Sequence, residues 1–578
     1  MASIGEYLTQ LTLDKKVLVD GLNKQNLTSS HEETFTTLVG KIANFRYSPR
    51  FMSFANIRTG GIPVNVQADL STLSFRNLET LSGMFSNSSF TYLKPGVIAD
   101  FNAKDGSWKY MFKDTVIWGE NTRSTGDLME YNGEGILDLR GMNSSNITNV
   151  EGMFHTCVGK AYNVFGQHDR STDTYFKGLD FSSVTKAKEM FYESMISLYD
   201  FDFSSFVNVT DASYMFASWK SAGVFITDDA DSVTEIKQTI NGEECPKPLV
   251  LKDLEFNNLT NASYFAHTTY FDEGFKGVYL ENLKFPKLTT LKEAFRSTYN
   301  STSATTIMRQ FYGKNIKIDK SIDLSYIFYN QEGLTNIIVE NDEEYGIIKP
   351  SNVTYMCCSA EKLKKIKLPV DLSACTSIRD IFSWCYALTD IEMEFDLSAC
   401  TSMEQSFMYC RKLVNLPTFL NTDKVTRLIK CFNNCLSLVN VSIDNVFPAV
   451  TTCESMFSAS SLLETVSMPN LKQNATCSYR YMFQSCPALK TVDLSSLVCN
   501  AASTYVAYMF SGCSVLEKID MRSFDFTKIT SSTYYSSMLN SVPKTCQIIV
   551  MNDECKAWFA SKFSSWTNVV TVAELEAM

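Results

Sequence analysis

The amino-acid sequence predicts an α/β solenoid of about sixteen short strand–helix units, with a small helical segment before it and a capping unit after it. Two observations carry this prediction. A cluster of the form Met-Phe-x-x-Cys-x-x-Leu-x-x-Ile-x-Met recurs along the chain, and from Phe382 to Phe457 it recurs every 25 residues. The 578 residues are also 45% hydrophobic, which is enough to bury a long continuous core. We therefore expect one extended repeat domain rather than several domains joined by linkers.

The helical segment is predicted over residues 1–50, with amphipathic helices near residues 3–25 and 30–45. The second helix begins with Ser30-x-x-Glu33, a capping-box pattern in which each side chain bonds to the backbone of the other residue. No secretory signal and no membrane-spanning stretch are predicted, so we expect the protein to be made in a reducing cytoplasm. Residues 1–50 are expected to anchor or oligomerise the protein.

The solenoid is predicted over residues 51–545. Its units are marked by a pair of residues, usually a methionine followed by an aromatic residue. The pairs are Met84-Phe85, Met111-Phe112 (after Tyr110), Met153-Phe154, Met190-Phe191, Met215-Phe216, Tyr264-Phe265, Ala294-Phe295, Ile327-Phe328, Met356-Cys357, Ile381-Phe382, Ser406-Phe407, Cys431-Phe432, Met456-Phe457, Met482-Phe483, Met509-Phe510 and a degenerate Ser537-Met538.

Each unit is expected to contain one strand and one short helix. After the aromatic position, apolar residues at a fixed spacing predict a strand whose alternate side chains point inward, as in Leu388, Ile391 and Met393. Before the strand, apolar residues stand at helical spacing, which predicts a short helix. In one unit these are Ile378, Ile381, Phe382 and Cys385, with Thr376 and Ser377 as caps.

Long insertions interrupt the first half of the solenoid, near residues 113–145, 158–180, 217–250, 266–280 and 298–318. Insertions in repeat proteins often carry the binding function, but neutral growth of surface loops explains them equally well. Their aromatic residues are candidate binding anchors or packing residues: Tyr162, Phe165, Tyr175, Tyr270, Phe271 and Tyr299. The capping unit, residues 546–578, is expected to contain a strand, a helix starting near Asn552 and a closing strand.

No catalytic, cofactor-binding or metal-binding residues are predicted, and no ligand-binding residues are assigned. Six of the 17 cysteines occupy one repeat column, where a thiol acts as a small buried hydrophobic group: Cys157, Cys385, Cys410, Cys435, Cys486 and Cys513. The four histidines, His31, His155, His168 and His267, lie in no hydrolase motif. The acidic clusters at 228–231 and 341–344 lack the ligand spacing of a calcium loop, so we expect solvated loop tips.

The repeat resembles the BspA-type leucine-rich repeat. The resemblance rests on Tyr-Met-Phe-x-x-Cys-x-x-Leu, often preceded by Asn-Val-Thr as in Asn208–Phe216, and it covers roughly residues 70–545. It implies a right-handed solenoid used for binding or as a spacer, without catalytic residues. The amino-terminal segment LTLDKKVLVDGLNKQNLTSSHEETFTTLVGKI resembles short helical headers of structural proteins of tailed bacteriophages. The segment Cys546–Trp558, with the following FSSWTNVVTV, resembles the terminal units of leucine-rich proteins from phages and their hosts.

These observations lead us to expect a non-enzymatic virion protein of a tailed bacteriophage, as a fibre, spike or decoration component. Residues 1–50 would bind other virion proteins, and the solenoid would bind a glycan or protein on the host-cell surface. A homo-oligomer is left open. The net charge of −11 argues against a nucleic-acid partner, and membrane insertion is not expected. The alternative is a bacterial BspA-like adhesin at the cell surface, a class that normally carries an export signal and an anchor.

Overall fold

The structure is a computed structural model that divides the chain into two compact units, Met1–Leu288 and Thr289–Met578. It describes Val19 and residues 67–69, 80–90, 92–94, 106–118, 121–125, 128–131, 136–140, 142, 144–163, 166–170, 173–194, 196, 198, 201, 203–219, 224–227, 239–240, 243–244, 248–268, 275–298, 308–444, 447–468, 477–497, 501–502 and 504–577. Apart from Val19, the helices predicted near residues 3–25 and 30–45 lie outside the described residues. The anchoring role of residues 1–50 therefore stays a prediction.

Short strands make up most of the regular structure. Unit 1 contains β1 (Gln67–Asp69), β2 (Ser89–Phe90), β3 (Tyr92–Lys94), β4 (Val116–Trp118), β5 (Asn121–Thr125), β6 (Leu128–Tyr131), β7 (Ile136–Asp138), β8 (Val158–Asn163), β9 (Gly166–Arg170), β10 (Asp173–Tyr175), β11 (Val224–Thr227), β12 (Thr239–Ile240), β13 (Glu243–Glu244), β14 (Pro248–Glu255) and β15 (Gly277–Phe285). A 3₁₀ turn covers Phe203–Ser205.

Unit 2 contains β16 (Gln310–Ile318), β17 (Ile322–Asp323), β18 (Asn336–Glu340), β19 (Pro350–Asn352), β20 (Lys365–Lys367), β21 (Asp390–Glu392), β22 (Phe395–Asp396), β23 (Phe419–Leu420), β24 (Asn440–Ser442), β25 (Thr465–Ser467), β26 (Thr491–Asp493), β27 (Lys518–Asp520), β28 (Gln547–Val550) and β29 (Val569–Thr571). Its helices are α1 (Ser532–Tyr535), α2 (Asp553–Lys562) and α3 (Val572–Glu576), and a 3₁₀ turn covers Phe526–Lys528.

Unit 1 stacks its coils through parallel strand pairs. The orders are β1-β3-β7-β10, β2-β4-β8 and β11-β14-β15. Three antiparallel pairs, β5-β6, β8-β9 and β12-β13, lie within the predicted insertions near 113–145, 158–180 and 217–250. These insertions therefore contain hairpins, and β8 of the second hairpin also pairs in parallel with β4.

Unit 2 is more regular, and every strand pair described in it is parallel. The longer rows run β16-β18-β20-β21 and β24-β25-β26-β27-β28-β29, with β17-β19 and β22-β23 as shorter rows. In the first row Ile337, Ile366 and Ile391 align; in the second Val441 aligns with Val466. The predicted inward column of branched aliphatic residues is therefore the alignment that stacks the coils.

The short helix predicted in each unit is wrong. In the coil around Phe382, the amides of Asp380, Phe382 and Trp384 donate to carbonyls of the next coil, at 3.1, 2.9 and 2.8 Å. The amides between them close tight turns within the coil, as Cys385 does on the Phe382 carbonyl at 3.1 Å. An α-helix would satisfy all these donors internally. The described residues therefore form a leucine-rich-repeat-like parallel β-solenoid with few helices, and the α/β class is corrected accordingly.

Two left-handed residues bend the chain in each of these turn segments. They lie two residues before and two residues after the aromatic position, as Asp380 (φ 52°) and Trp384 (φ 65°) do around Phe382. The same pair recurs around Phe407, at Gln405 (φ 58°) and Tyr409 (φ 62°). Non-glycine residues seldom adopt this conformation, and the bonds to the next coil hold it here.

The aromatic column packs along the axis of each unit. Phe432, Phe457, Phe483 and Phe510 follow one another with ring centroids 5.6 to 5.8 Å apart. In unit 1, Phe112 stacks on Phe85 and Phe154 at 5.4 Å. Stacked pairs of this kind add about 0.5–1.5 kcal/mol each beyond the burial of their area.

Two repeat markers shift by one residue relative to the prediction. In most coils the amide at the aromatic position donates to the carbonyl at the methionine position of the next coil. By this pattern, the Phe216 amide donates to the Phe265 carbonyl and the Phe510 amide donates to the Met538 carbonyl, so Phe265 and Met538 occupy methionine positions. The marker pairs are therefore Phe265-Ala266 and Met538-Leu539. With these corrections about sixteen turn segments occur among the described residues, which agrees with the predicted number of units.

The end of unit 2 carries most of the helix. Asn552 caps α2, accepting a hydrogen bond at its side chain from the Cys555 amide at 3.0 Å. Thr571 and Glu574 form a capping box at the start of α3. Phe559 of α2 is buried and packs edge-on against Phe526, with ring centroids 4.8 Å apart. This helix thus covers apolar side chains of the last coils.

Candidate binding surface

The cysteine column is a row of hydrogen-bond donors as well as packing residues. Cys385, Cys410 and Cys435 donate through Sγ to the carbonyl at the aromatic position of the preceding coil, at 3.1 to 3.2 Å. Thr115 and Ser460 occupy the same column, and their hydroxyls make the same bond at 2.7 and 3.3 Å. The prediction of a buried column is confirmed. Sequence reasoning missed that Cys, Thr and Ser are found there because each supplies a hydrogen-bond donor to the preceding coil.

These thiols are shielded from solvent. All fifteen cysteines in the described part of the chain are buried and free of disulfides. Burial raises the pKa of Cys358 and of Cys486 to about 12, and holds that of Cys385 well above its usual value. A thiol with so high a pKa is protonated at neutral pH and is a poor nucleophile or metal ligand.

The histidines do not come together in the described residues. His155 stacks on Tyr192 with centroids 4.7 Å apart, its Nδ1 lies 2.7 Å from the Thr156 hydroxyl, and burial lowers its pKa. His267 is buried with its ring edge toward Tyr264. His168 lies in β9, where its side chain is not described, and His31 lies outside the described residues.

The acidic segment 341–344 is a turn. Asn341 Nδ2 donates to the carbonyls of Ile316 and Gly346, both at 2.8 Å, and Asp342 Oδ1 accepts from the Glu344 amide at 3.1 Å. The second acidic cluster, at 228–231, lies outside the described residues. Nowhere in the described part do three or more His, Cys, Asp or Glu side chains gather in a way that suits a metal ion.

The predicted aromatic anchors in the insertions fall where the structure gives no side chains. Tyr162 and Tyr175 lie in β8 and β10, whose side chains are not described. The others, Phe165, Tyr270, Phe271 and Tyr299, lie outside the described residues. Their role in binding therefore stays a prediction.

The outward face of β18, β20 and β21 carries a lattice of ion pairs. Lys365 Nζ lies 2.9 Å from Asp390 and also contacts Glu392, while Lys367 Nζ lies 2.6 Å from Glu340 and 3.8 Å from Glu392. Hydrogen bonds to these carboxylates raise the pKa values of both lysines. Because all five side chains are at least one-third exposed, water screens the pairs and they contribute little to stability.

A cluster of half-exposed rings lies on the turn segments of the coils around Phe382 and Phe407. Trp384 and Tyr409 stack with centroids 4.1 Å apart and planes 24° apart, and Tyr386 lies edge-on to both, at 6.0 and 6.4 Å. The guanidinium of Arg411 lies 4.2 Å from the Tyr386 centroid and 5.6 Å from that of Tyr409. We call Trp384, Tyr386, Tyr409 and Arg411 the aromatic–arginine patch.

The repeat geometry creates this patch. Trp384 and Tyr409 both occupy the left-handed position two residues after the aromatic position, so they are 25 residues apart in sequence and adjacent in space. Burial, with a further contribution from Glu361, raises the pKa of Tyr386 against the opposing effect of Arg411. Its phenol is therefore neutral at physiological pH and keeps a hydrogen to donate.

A second ring cluster lies on the preceding coils. Tyr326 and Tyr355 stack at 4.7 Å, and Arg296 lies over Tyr329 at 5.1 Å. Here the cations are paired: Arg379 lies 3.1 Å from Asp380, and Arg296 contacts Glu293. These charges are satisfied within the protein, whereas Arg411 has no carboxylate within 4.0 Å in the described part of the chain.

The row of central strands is interrupted beside the aromatic–arginine patch. Residues 415–417 occupy the strand position between β21 and β24 but form no strand, and Pro417 has no amide hydrogen to contribute. In the preceding coil and two coils further on, the amides of Thr389 and Glu464 each donate to the coil before them, at 3.0 and 2.8 Å. Among the described residues, the equivalent residue Val414 makes no such bond, and its side chain is 55% exposed.

Comparison with known proteins supports the repeat reading over much of this surface. Residues 320–445, 379–503 and 429–559 match a family model. The match is to the BspA type leucine rich repeat region, in six copies. The aromatic–arginine patch and the ion-pair lattice both lie within the BspA-type match. In unit 1, residues 131–228 match a model described as a Mycoplasma protein of unknown function, DUF285.

Two leucine-rich repeat proteins of solved structure are similar to parts of this chain. A leucine rich cell surface protein from Faecalibacterium prausnitzii is 15% identical over 53% of this chain and 82% of its own, with a TM-score of 0.23. A leucine-rich repeat protein from Bacteroides ovatus is 19% identical over 44% of this chain and 69% of its own, with a TM-score of 0.20. At such scores the likeness carries no further argument. No curated protein matches the chain.

None of these matches is to a catalytic family or to a bacteriophage protein. Within the described residues there is no helix whose length and apolar character would let it cross a membrane.

Proposed function

We propose that this chain is a non-enzymatic, BspA-like adhesion protein whose solenoid binds host or neighbouring-cell surfaces. This was the alternative reading of the sequence, and the BspA-type match over residues 320–559 supports it better than the virion reading. The bacteriophage assignment rested on the resemblance of two terminal segments, and no comparison supports it. Display at the cell surface is part of the proposal.

The observation that carries the proposal is the contrast between the inside and the outside of the coils. Inward positions repeat almost unchanged, as in Val441, Val466 and Val492, all of which are buried. The outward neighbours differ from coil to coil: Lys365 and Lys367, then Asp390 and Glu392, then Asn440 and Ser442. A constant core with a variable exterior is how solenoids present extended binding surfaces.

The experiment is a bead-adhesion assay with the full-length chain. Beads coated with the protein are passed over immobilised mucin glycans and extracellular-matrix proteins, with albumin-coated beads as the control. The proposal expects retention of the protein-coated beads on at least one surface, and competition by the soluble chain. Retention no greater than that of albumin on every surface contradicts it.

A further inference from the structure

The aromatic–arginine patch contains one of the exposed arginines that form no ion pair within the described residues; Arg309 and Arg480 are others. Arg411 is exposed, stacks on Tyr386 and has no carboxylate within 4.0 Å in the described residues. Arg379, Arg427 and Arg522 by contrast lie 3.1, 3.0 and 2.6 Å from acidic side chains. The stacking holds the Arg411 guanidinium plane in place, so its edge donors are free to bind a planar anion such as a carboxylate.

Two further features of the same coil favour a ligand. Lys412 follows Arg411, is exposed and makes no ion pair in the described part of the chain. Three residues after Arg411, the interrupted strand row exposes Val414, whose amide makes no bond to the preceding coil among the described residues. One coil therefore combines two cations that form no ion pair with any described residue, a backbone donor and an apolar side chain, next to three half-exposed rings.

We propose that the aromatic–arginine patch binds a glycan that carries widely spaced carboxylates, with the carboxylate on Arg411 and the sugar ring against the exposed parts of Trp384 and Tyr409. This inference rests on the proposed adhesion function and names the ligand class of one site. Aromatic rings contact the C–H faces of sugars, and the tyrosine hydroxyls supply partners for sugar hydroxyls.

The charge of the chain favours sparse over dense anions. A net charge of −11 repels a polyanion such as a nucleic acid or a heavily sulfated chain at long range. A glycan with a single carboxylate per disaccharide interacts mainly with the charges next to it. At the patch, the two positive charges of Arg411 and Lys412 exceed the one negative charge of the nearby Glu361. An acidic peptide supplies carboxylates but no sugar ring for Trp384 and Tyr409, so it is the competing outcome in the test.

The test is calorimetric titration of the full-length protein with a hyaluronan hexasaccharide. Chitohexaose is the matched ligand control, because it keeps the N-acetylglucosamine units and lacks carboxylates. A hexaglutamate peptide is the charge control. The proposal expects binding of hyaluronan, with at least tenfold weaker binding of both controls, since a charge-assisted bidentate contact is worth about a factor of ten or more.

The variants are Arg411→Gln and the control Arg427→Gln, which removes another exposed arginine whose charge is already paired with Glu404. Arg411→Gln is expected to weaken hyaluronan binding about tenfold, and Arg427→Gln to leave it within about twofold. Thermal melting checks that both variants fold. A third variant, Tyr409→Leu, should weaken hyaluronan binding while leaving the ion-pair lattice intact.

Three outcomes overturn the inference: no hyaluronan binding, equal binding of hexaglutamate, or equal effects of Arg411→Gln and Arg427→Gln. If the beads of the adhesion assay are still retained in any of these cases, the adhesion function stands and only the ligand class is wrong. If hyaluronan binds the patch but no beads are retained, the proposed function fails and the site remains.

Discussion

The thiols of the cysteine column should contribute to stability as hydrogen-bond donors, and substitution at Cys410 tests this. Cys410 is fully buried, and its Sγ lies 3.2 Å from the Phe382 carbonyl, which also accepts the Cys385 amide at 3.1 Å. Alanine removes this second bond, worth about 0.5–1.5 kcal/mol, and the contacts of the sulfur, worth about 1 kcal/mol. We expect Cys410→Ala to lower the free energy of unfolding by about 2 kcal/mol.

Serine keeps the donor, as Ser460 already does in the same column at 3.3 Å from the Phe432 carbonyl. Cys410→Ser should therefore cost less than Cys410→Ala, about 1 kcal/mol or below. The matched control is Cys357, which occupies the aromatic position and is also fully buried. At this position no acceptor within the described residues is placed for a serine hydroxyl, and burying an unpaired hydroxyl costs about 1–3 kcal/mol of stability. Cys357→Ser should therefore be less stable than Cys357→Ala.

Urea denaturation followed by tryptophan fluorescence measures the four variants against the parent chain. Because a repeat protein of this length need not unfold in one step, the midpoint of the same transition is compared across variants. The reasoning is refuted if serine is worse than alanine at Cys410, or if the order of the two substitutions is the same at both positions. Either result would mean that the column requires only apolar packing.

Three further predictions follow from the turns and strands of unit 2. In hydrogen-exchange mass spectrometry, the amides of residues 414–416 should exchange with solvent faster than those of residues 464–466, because only the latter segment bonds to its preceding coil. Equal protection of the two segments would contradict the interrupted strand row. Lys430 is exposed and left-handed (φ 52°), so Lys430→Val should lower the urea midpoint through a strain of about 1–2 kcal/mol while Lys430→Gly leaves it nearly unchanged. Hydrogen bonds from Ser398 and Asn421 lower the pKa of Asp396. The ionised Asp396 carboxylate therefore stabilises the folded chain at pH values above the pKa of an unfolded aspartate, about 3.9, and this stabilisation is lost as the pH falls through the lower pKa of the folded state. The difference in urea midpoint between the parent and Asp396→Asn should thus shrink from pH 7 to pH 3. A difference that grows on acidification would contradict a lowered pKa for Asp396.

The sequence predicts the stacking of the coils well because the signal is a spacing. Leu388 and its equivalents stand at one fixed distance from the aromatic position, and only a repeated coil places them in one buried column. The same periodicity misleads about local conformation. Ile378, Ile381, Phe382 and Cys385 are all fully buried as helical spacing requires, yet two left-handed residues between them make alternating turns.

The left-handed positions escape sequence reasoning because they are not marked by glycine. Asp380, Trp384, Gln405 and Tyr409 adopt this conformation because backbone bonds to the next coil stabilise it, which no local propensity reports. The aromatic–arginine patch is missed for a related reason. Trp384 and Tyr409 become neighbours only when the register of adjacent coils is known, whereas the sequence drew attention to the aromatic residues of the insertions.

The proposed adhesion role requires the solenoid to lie on the outside of the cell, and surface labelling of intact cells that carry the gene tests this most directly. Cells are treated with a membrane-impermeant biotin reagent, and the labelled fraction of the chain is compared with that after lysis. The account predicts that intact cells label the chain nearly as fully as lysed cells, while a cytoplasmic marker stays unlabelled. Labelling that appears only after lysis would contradict the proposed adhesion role.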